Sequence, residues 1–183
     1  MQPGREYEVA APFAGRVTVQ DYSPRARIAD VRVIDLALFQ DDGGSFNELV
    51  RVRPDATIEA LPEFRIAQSS YSEMVPGAIK AWHLHRRQAD LWFVPPSHRL
   101  LVGLLDVRDG SATVGVSMRM LLGGGRAQLV YIPAGVAHGA ANLGSAPAAI
   151  LYFTSATFDP QQPDEHRLPW DTLGAEFWRI QPG

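Results

Sequence analysis

The sequence predicts a mostly β protein, a sandwich or barrel with few short helices, and two observations carry that prediction. Turn-forming residues punctuate the whole chain, 16 Gly and 14 Pro among 183 residues. Between them lie runs of strand length rich in Val, Ile, Leu, Phe and Tyr. In order, Ser23 to Asp30 is expected to form a helix, with Ser23 as cap and Pro24 at the first helical position. Strands are expected over Arg32–Phe39, Phe64–Tyr71, Asp90–Val94 and Arg99–Asp106. Arg108-Asp-Gly-Ser111 then makes a tight turn, Val114–Leu122 a further strand, and Gly123-Gly-Gly125 a loop tip. Ala127–Ile132 and Ala148–Thr154 complete the strands, and Leu173 to Trp178 gives a helical turn near the end.

The length suits one domain over 1–183, and no composition break argues for two. From Asp159 onward the chain is polar and Pro-rich, yet it carries Leu168, Trp170, Phe177 and Trp178, so a tail over 159–183 is expected to wrap the barrel. Apolar residues at 46% and charged residues at 20% place the chain in the soluble globular class. A net charge of −3, with no basic stripe interleaved with aromatics, gives no reason to expect nucleic acid. No apolar run reaches the length of a membrane span and the first residues lack a signal-peptide pattern, so a cytoplasmic location is expected. With no cysteine, any metal would need His, carboxylate or amide ligands.

Three of the five histidines sit in two short strings, Gly77-Ala-Ile-Lys-Ala-Trp-His83-Leu-His85 with Asp90, and Pro133-Ala-Gly135-Val-Ala-His138 with Asn142. Strand alternation aims His83 and His85 at one face and Trp82 and Leu84 at the other. If the shared face is interior, His138 enters from a neighbouring strand, with Tyr152 on the strand that follows. Imidazole titrates near neutral pH and a phenol can return a proton, so the group suits proton transfer. His98 and His166 are read as packing or solvent-facing residues, and Trp82, Trp92 and Trp170 as packing residues.

The two strings resemble the paired motifs of the cupin superfamily, small jelly-roll β-barrels. Longer strings resemble the dTDP-4-dehydrorhamnose 3,5-epimerase family: the first string itself, Asp106-Val-Arg-Asp-Gly-Ser-Ala-Thr-Val-Gly115, Tyr131-Ile-Pro-Ala-Gly-Val-Ala-His-Gly139, and Leu151-Tyr-Phe-Thr-Ser-Ala-Thr-Phe-Asp-Pro160. Shorter echoes are Asp41-Asp-Gly-Gly-Ser-Phe46 with Glu48, and Arg167-Leu-Pro-Trp-Asp171. The resemblance implies a cupin-type double-stranded β-helix and an epimerase acting on a dTDP-linked 4-keto-6-deoxy sugar without a cofactor. His83 would abstract a proton next to the keto group and Tyr152 would return one from the other face. Glu48, Gln68, Lys80, His138 and Phe158 would bind substrate. A homodimer is implied, with residues 1–40 as an arm at its interface.

Measured against that family, Gly43 stands where an arginine is expected, Lys80 where an arginine, Asp90 where an enolate-stabilising lysine, and Phe158 where a second tyrosine. The carboxylate that orients the catalytic histidine lies, in the family, in a C-terminal segment without a match before Gly183, which leaves Asp106 and Asp90 as candidate orienters. His83, His85, Asp90 and His138 also match positions where metal-dependent cupins hold three histidines and a carboxylate. That second reading is an isomerase or dioxygenase with Fe, Mn, Ni or Zn. A third is a non-catalytic sugar-binding cupin.

Overall fold

The computed structural model describes residues 6–181; the ends of the expected arm and tail, residues 1–5 and 182–183, lie outside them. Its strands are β1 Arg32–Asp35, β2 Phe39–Asp41, β3 Gly44–Phe46, β4 Thr57–Ile58, β5 Leu61–Arg65, β6 Gln68–Met74 and β7 Ile79–Leu84. They continue as β8 Asp90–Phe93, β9 Arg99–Asp106, β10 Ser117–Gly123, β11 Gln128–Ile132, β12 Val136–Ala141, β13 Ala148–Thr154 and β14 His166–Arg167. Two antiparallel five-stranded sheets, ordered β1-β11-β8-β13-β6 and β10-β9-β12-β7-β14, make up a jelly-roll sandwich.

Period-two patterning explains how the sheets stack. In β9, Leu100, Val102 and Leu104 enter the core between the sheets, while Leu101 and Leu105 face outward into a separate cluster with Trp82 and Trp178. Both faces are therefore covered, and every β9 residue after Arg99 is buried. At Gly103 a Cβ would lie 2.5 Å from a Phe177 ring carbon and 2.7 Å from one of Trp178, so only glycine lets the tail's aromatic rings lie flat on this strand. In the other sheet, Trp92, Val130, Ile132 and Ile150 point inward. Leu91, Phe93, Leu129 and Phe153 point outward, beneath Ile58, Leu61 and Phe64 of the β4–β5 hairpin.

The helix expected over Ser23–Asp30 is not formed; residues 23–28 are irregular and Ala29 and Asp30 form a turn. Pro24 biases Ser23 away from helical geometry, and the backbone donors of Ile28 and Ala29 go to Met118 Sδ and Thr113 Oγ1 instead of to a preceding turn. Ile28 is thereby buried in the inter-sheet core. The one α-helix among the described residues is the single turn α1, Ala11–Ala14. Leu173–Trp178 yields a 3₁₀ turn over Ala175–Trp178. The run Phe64–Tyr71 breaks at Ile66–Ala67, where the chain passes from the β4–β5 hairpin into the first sheet. The strand expected from Val114 starts at Ser117, because Val114–Val116 turns around the backbone of Asp106.

Candidate active site

A cavity of about 540 Å³ opens between the sheets at one end of the sandwich, floored by Met74, Trp92, Ala140 and Ile150 of the inter-sheet core. Local strand geometry decides which side chains reach it. His83 pairs with His138 in register, but Lys80 pairs with Ala140, so three steps on β7 match two on β12. This bulge resets the alternation: Ala81 and Trp82 both pack in the outer cluster, and Lys80 and His83 both face the cavity. Gly139 sits at the bulge because a Cβ there would lie 2.8 Å from Ala81 Cα.

The structure brings His83, His85, Asp90, His138, Tyr152, Gln68, Lys80 and Phe158 to this one cavity. His83 and His138 come from one sheet, Asp90 and Tyr152 from the other. The Tyr152 hydroxyl has no protein hydrogen-bond partner among the described residues, which leaves its proton available. Gln68 Oε1 accepts from the Phe158 backbone N–H at 2.9 Å, placing that exposed ring at the rim. Lys80 Nζ, also at the cavity, donates to Ser72 Oγ and the Glu73 carbonyl.

Two expected site residues lie elsewhere. Asp106 is fully buried away from the cavity, accepting from Arg108 Nε at 2.9 Å, Ser111 Oγ at 2.6 Å and Thr113 Oγ1 at 2.7 Å. The Arg108 guanidinium holds its carboxyl well below the ordinary range, so Asp106 is a structural anion that ties two turns together, not a catalytic or orienting group. Glu48 is half exposed and accepts from Arg51 Nε at 2.6 Å, outside the cavity lining.

The partner of His83 is Glu165, a residue the sequence did not single out. His83 Nδ1 lies 3.2 Å from Glu165 Oε1, and Arg167 Nη1 donates to His83 Nε2 at 3.2 Å. A guanidinium can only donate, so Nε2 carries the lone pair and Nδ1 the proton, which it donates to Glu165. Burial, then the neighbouring Arg167 charge, push the imidazole down to about 4, and it is neutral at pH 7. Burial would raise the Glu165 carboxyl, but Arg167 and then His83 outweigh it and hold it ionised.

The tail holds this geometry in place. Just before β14, the Asp164 carboxylate accepts from the backbone N–H groups of Arg86, Arg87 and Gln88, in the turn that links β7 to β8. His166 and Arg167 then pair with Leu84 and His83 as the outermost strand of the sheet. The only sequence signal for these partners was the Arg167-Leu-Pro-Trp-Asp171 echo, which marked the tail without assigning its carboxylates.

His85 and His138 form a second group. Their rings are 5.3 Å apart, and His138 Nε2 lies 3.5 Å and His85 Nε2 4.0 Å from Asp90 Oδ2. Asp90 is buried and also accepts from Gln88 Nε2 at 2.8 Å and Trp92 Nε1 at 3.1 Å. Burial lowers His138, against the opposing pull of the Asp90 charge. Asn142, buried beside this string, is a structural residue: its amide donates to the Met74 and Ala146 carbonyls.

Residues 25–179 match the model of the dTDP-4-dehydrorhamnose 3,5-epimerase family. The chain is 44% identical to the spore coat polysaccharide biosynthesis protein SpsL of Bacillus subtilis, over 80% of this chain and 94% of that protein. It is 34% identical to the probable low-salt glycan biosynthesis epimerase Agl13 of Haloferax volcanii, over 79% of this chain and 89% of that one. Among solved structures, NovW, a 4-keto-6-deoxy sugar epimerase of Streptomyces spheroides, superposes with a TM-score of 0.70 at 28% identity, covering 89% of this chain and 83% of that chain.

Proposed function

The chain belongs to the dTDP-4-dehydrorhamnose 3,5-epimerase family, and from that premise we propose that it is a nucleotide-sugar epimerase in which His83 is the base and Tyr152 the acid. The observation that carries the assignment is their placement: a neutral imidazole with its proton fixed on Nδ1 by Glu165, facing the same cavity as a phenol from the opposite sheet. A sugar ring held between the sheets would meet one group on each face. A proton next to a carbonyl is only modestly acidic, so its removal needs a base whose lone pair is available at neutral pH. His83 Nε2 meets that need once Arg167, whose side chain is 57% exposed and also paired with Glu165, yields its place to the substrate. The reprotonation that inverts the carbon then falls to Tyr152. Both transfers use side chains of this chain alone.

Substrate binding is assigned to Gln68, Lys80 and Phe158, with His138 lining the same cavity. Lys80 and Arg87 are the cationic side chains lining it, suited to a diphosphate. The substrate class is a nucleoside-diphosphate 4-keto-6-deoxyhexose. A solved relative from Legionella pneumophila, 25% identical with a TM-score of 0.71 over 86% of this chain and 82% of that one, is a dTDP-6-deoxy-D-glucose-3,5-epimerase in complex with dTDP-4-keto-L-rhamnose. Incubating the protein with dTDP-4-keto-6-deoxyglucose in deuterated water and following the ring protons by NMR tests this. Loss of signal at carbons flanking the keto group is expected; unchanged spectra would contradict the assignment.

The working unit is proposed to be a homodimer. Tyr7, Val9, Phe13, Val17, Val19 and Tyr22 in the N-terminal segment are all exposed, apolar surface that a second copy would cover. A monomer by light scattering would contradict this. Among the described residues, no helix is long and apolar enough to cross a membrane.

A further inference from the structure

The second histidine group raises a question that the proton-transfer chemistry does not answer. His138 Nδ1 lies 3.0 Å from the Val136 carbonyl and His85 Nδ1 lies 2.5 Å from the Asp164 carbonyl. A carbonyl only accepts, so both rings carry a proton on Nδ1, and in the neutral imidazole Nε2 is then the atom with the lone pair. Those nitrogens face Asp90 Oδ2, an oxygen of a buried carboxyl group. Trp92 Nε1–H, at 3.1 Å from the same oxygen, is the one donor to it, and no donor bridges either imidazole to the carboxylate, an arrangement that suits a cation at their centre.

We infer that His85, Asp90 and His138 form a binding site for a first-row divalent metal ion, separate from the catalytic base. The three ligand atoms lie within 4.8 Å of one another. Metal bonds of about 2.0–2.2 Å place the ligand atoms of a tetrahedral ion roughly 3.4 Å apart. The contacts to Asp90, at 3.5 and 4.0 Å, lie near that spacing, and the two imidazole ligand atoms, within 4.8 Å of each other, would close on the ion. The surrounding bonds are those such a site requires. Each imidazole donates its Nδ1–H to a backbone carbonyl, and the carboxylate accepts from Gln88 and Trp92, so all three ligands are fixed in direction. Two imidazoles and one carboxylate favour Zn(II), Fe(II), Mn(II) or Ni(II) over Mg(II) or Ca(II).

The site excludes His83, although the sequence grouped it with these residues. Both His83 nitrogens are engaged, Nδ1 by Glu165 and Nε2 by Arg167, and its ring lies parallel to that of His138 with centroids 6.0 Å apart. Base and metal site therefore stand side by side in one cavity. This carries a consequence for the proposed epimerase, and that consequence rests on the epimerase reading itself. Asp90 occupies the position at which the family resemblance expects an enolate-stabilising lysine. A divalent cation there, when bound, supplies the positive charge which that lysine would have contributed.

Metal content and calorimetric titration test the site without any sugar present. Untagged protein, stripped with chelator and titrated with Zn²⁺, is expected to bind one equivalent per chain. Co²⁺ in its place should give a visible d–d spectrum. Asp90→Asn and His85→Ala should each weaken binding at least about tenfold, while His83→Ala should retain one equivalent. Absence of stoichiometric binding by the folded wild-type protein would overturn the inference, as would wild-type affinity in Asp90→Asn and His85→Ala together. Loss of the equivalent in a folded His83→Ala protein would overturn the three-residue assignment. Because binding is read apart from turnover, metal binding without deuterium exchange would refute the epimerase reading and leave the site standing. Exchange at full rate in a protein that binds no metal would do the reverse.

Discussion

Replacing Glu165 with glutamine keeps an oxygen for the His83 Nδ1 proton but removes the negative charge 3.2 Å from the ring. That charge matters most when His83 has taken the substrate's proton and become an imidazolium. Two unit charges 3.2 Å apart attract by about 1.3 kcal/mol at the dielectric of water and about 5 kcal/mol at the effective value of a protein surface. The side chains are 25% and 35% exposed, which places the effect in the lower part of that range. A loss of about 1.3–3 kcal/mol corresponds to a fall in kcat/KM of roughly 10- to 150-fold. Glu165 acts through His83, so kcat should carry the loss and KM should change little. The pH profile gives a second readout. His83 stands at about 4 with Glu165 pulling it upward, and the base works only when neutral. Wild-type kcat/KM should therefore stay level down to about pH 5 and fall as pH drops through about 4, and in Glu165→Gln that fall should move to lower pH. Deuterium wash-in to dTDP-4-keto-6-deoxyglucose from about pH 3 to pH 8 measures both. A variant within twofold of wild type, with an unmoved acid limb, would refute the dyad.

Gly103→Ala places a Cβ 2.5, 2.7 and 3.0 Å from ring atoms of Phe177, Trp178 and Trp82; overpacking of this kind costs about 1–3 kcal/mol, and calorimetry should show Tm lowered by roughly 2–12 °C. Asp106→Asn strips the charge from a fully bonded buried anion, for which a loss of about 3–5 kcal/mol in urea unfolding is expected. The Asp106 carboxyl is held below its unfolded value of about 3.9, so its contribution is complete above roughly that pH and is lost as pH falls through the lower, folded value. The stability gap between wild type and Asp106→Asn should accordingly narrow from pH 5 to pH 3; a constant gap would contradict the assignment. In Tyr152→Phe, net epimerisation should drop by about 10²–10⁴-fold, while exchange at the carbon His83 deprotonates persists; equal loss of both would place Tyr152 outside the reprotonation step.

The parts of this molecule that were legible in the sequence are those that local pattern encodes. Arg99–Asp106 and Ala148–Thr154 match β9 and β13 end to end, because their alternation and flanking turns carry the information. His83 and His85 share a face, and His138 joins them, as strand periodicity requires. What the sequence hid depends on distant pairing. Glu165 reaches His83 because β14 joins the edge of β7 across some eighty residues, and nothing periodic marks a two-residue strand. Asp106 misled for the opposite reason: its partners Arg108, Ser111 and Thr113 are all local, and they saturate the carboxylate before it can serve the site. Ser23–Asp30 had a helix's opening residues, but the sandwich offered Ile28 a place in its core and Ala29 a side-chain acceptor. The β7 bulge, which sends Lys80 and His83 the same way, likewise exists only in the pairing with β12.

That His83 removes the proton next to the keto group is decided by deuterium incorporation from solvent into dTDP-4-keto-6-deoxyglucose, compared between wild type and His83→Ala. Wild type should exchange the proton and a folded His83→Ala protein should exchange it about 10²–10⁴-fold more slowly. Exchange at the wild-type rate in His83→Ala would contradict the claim.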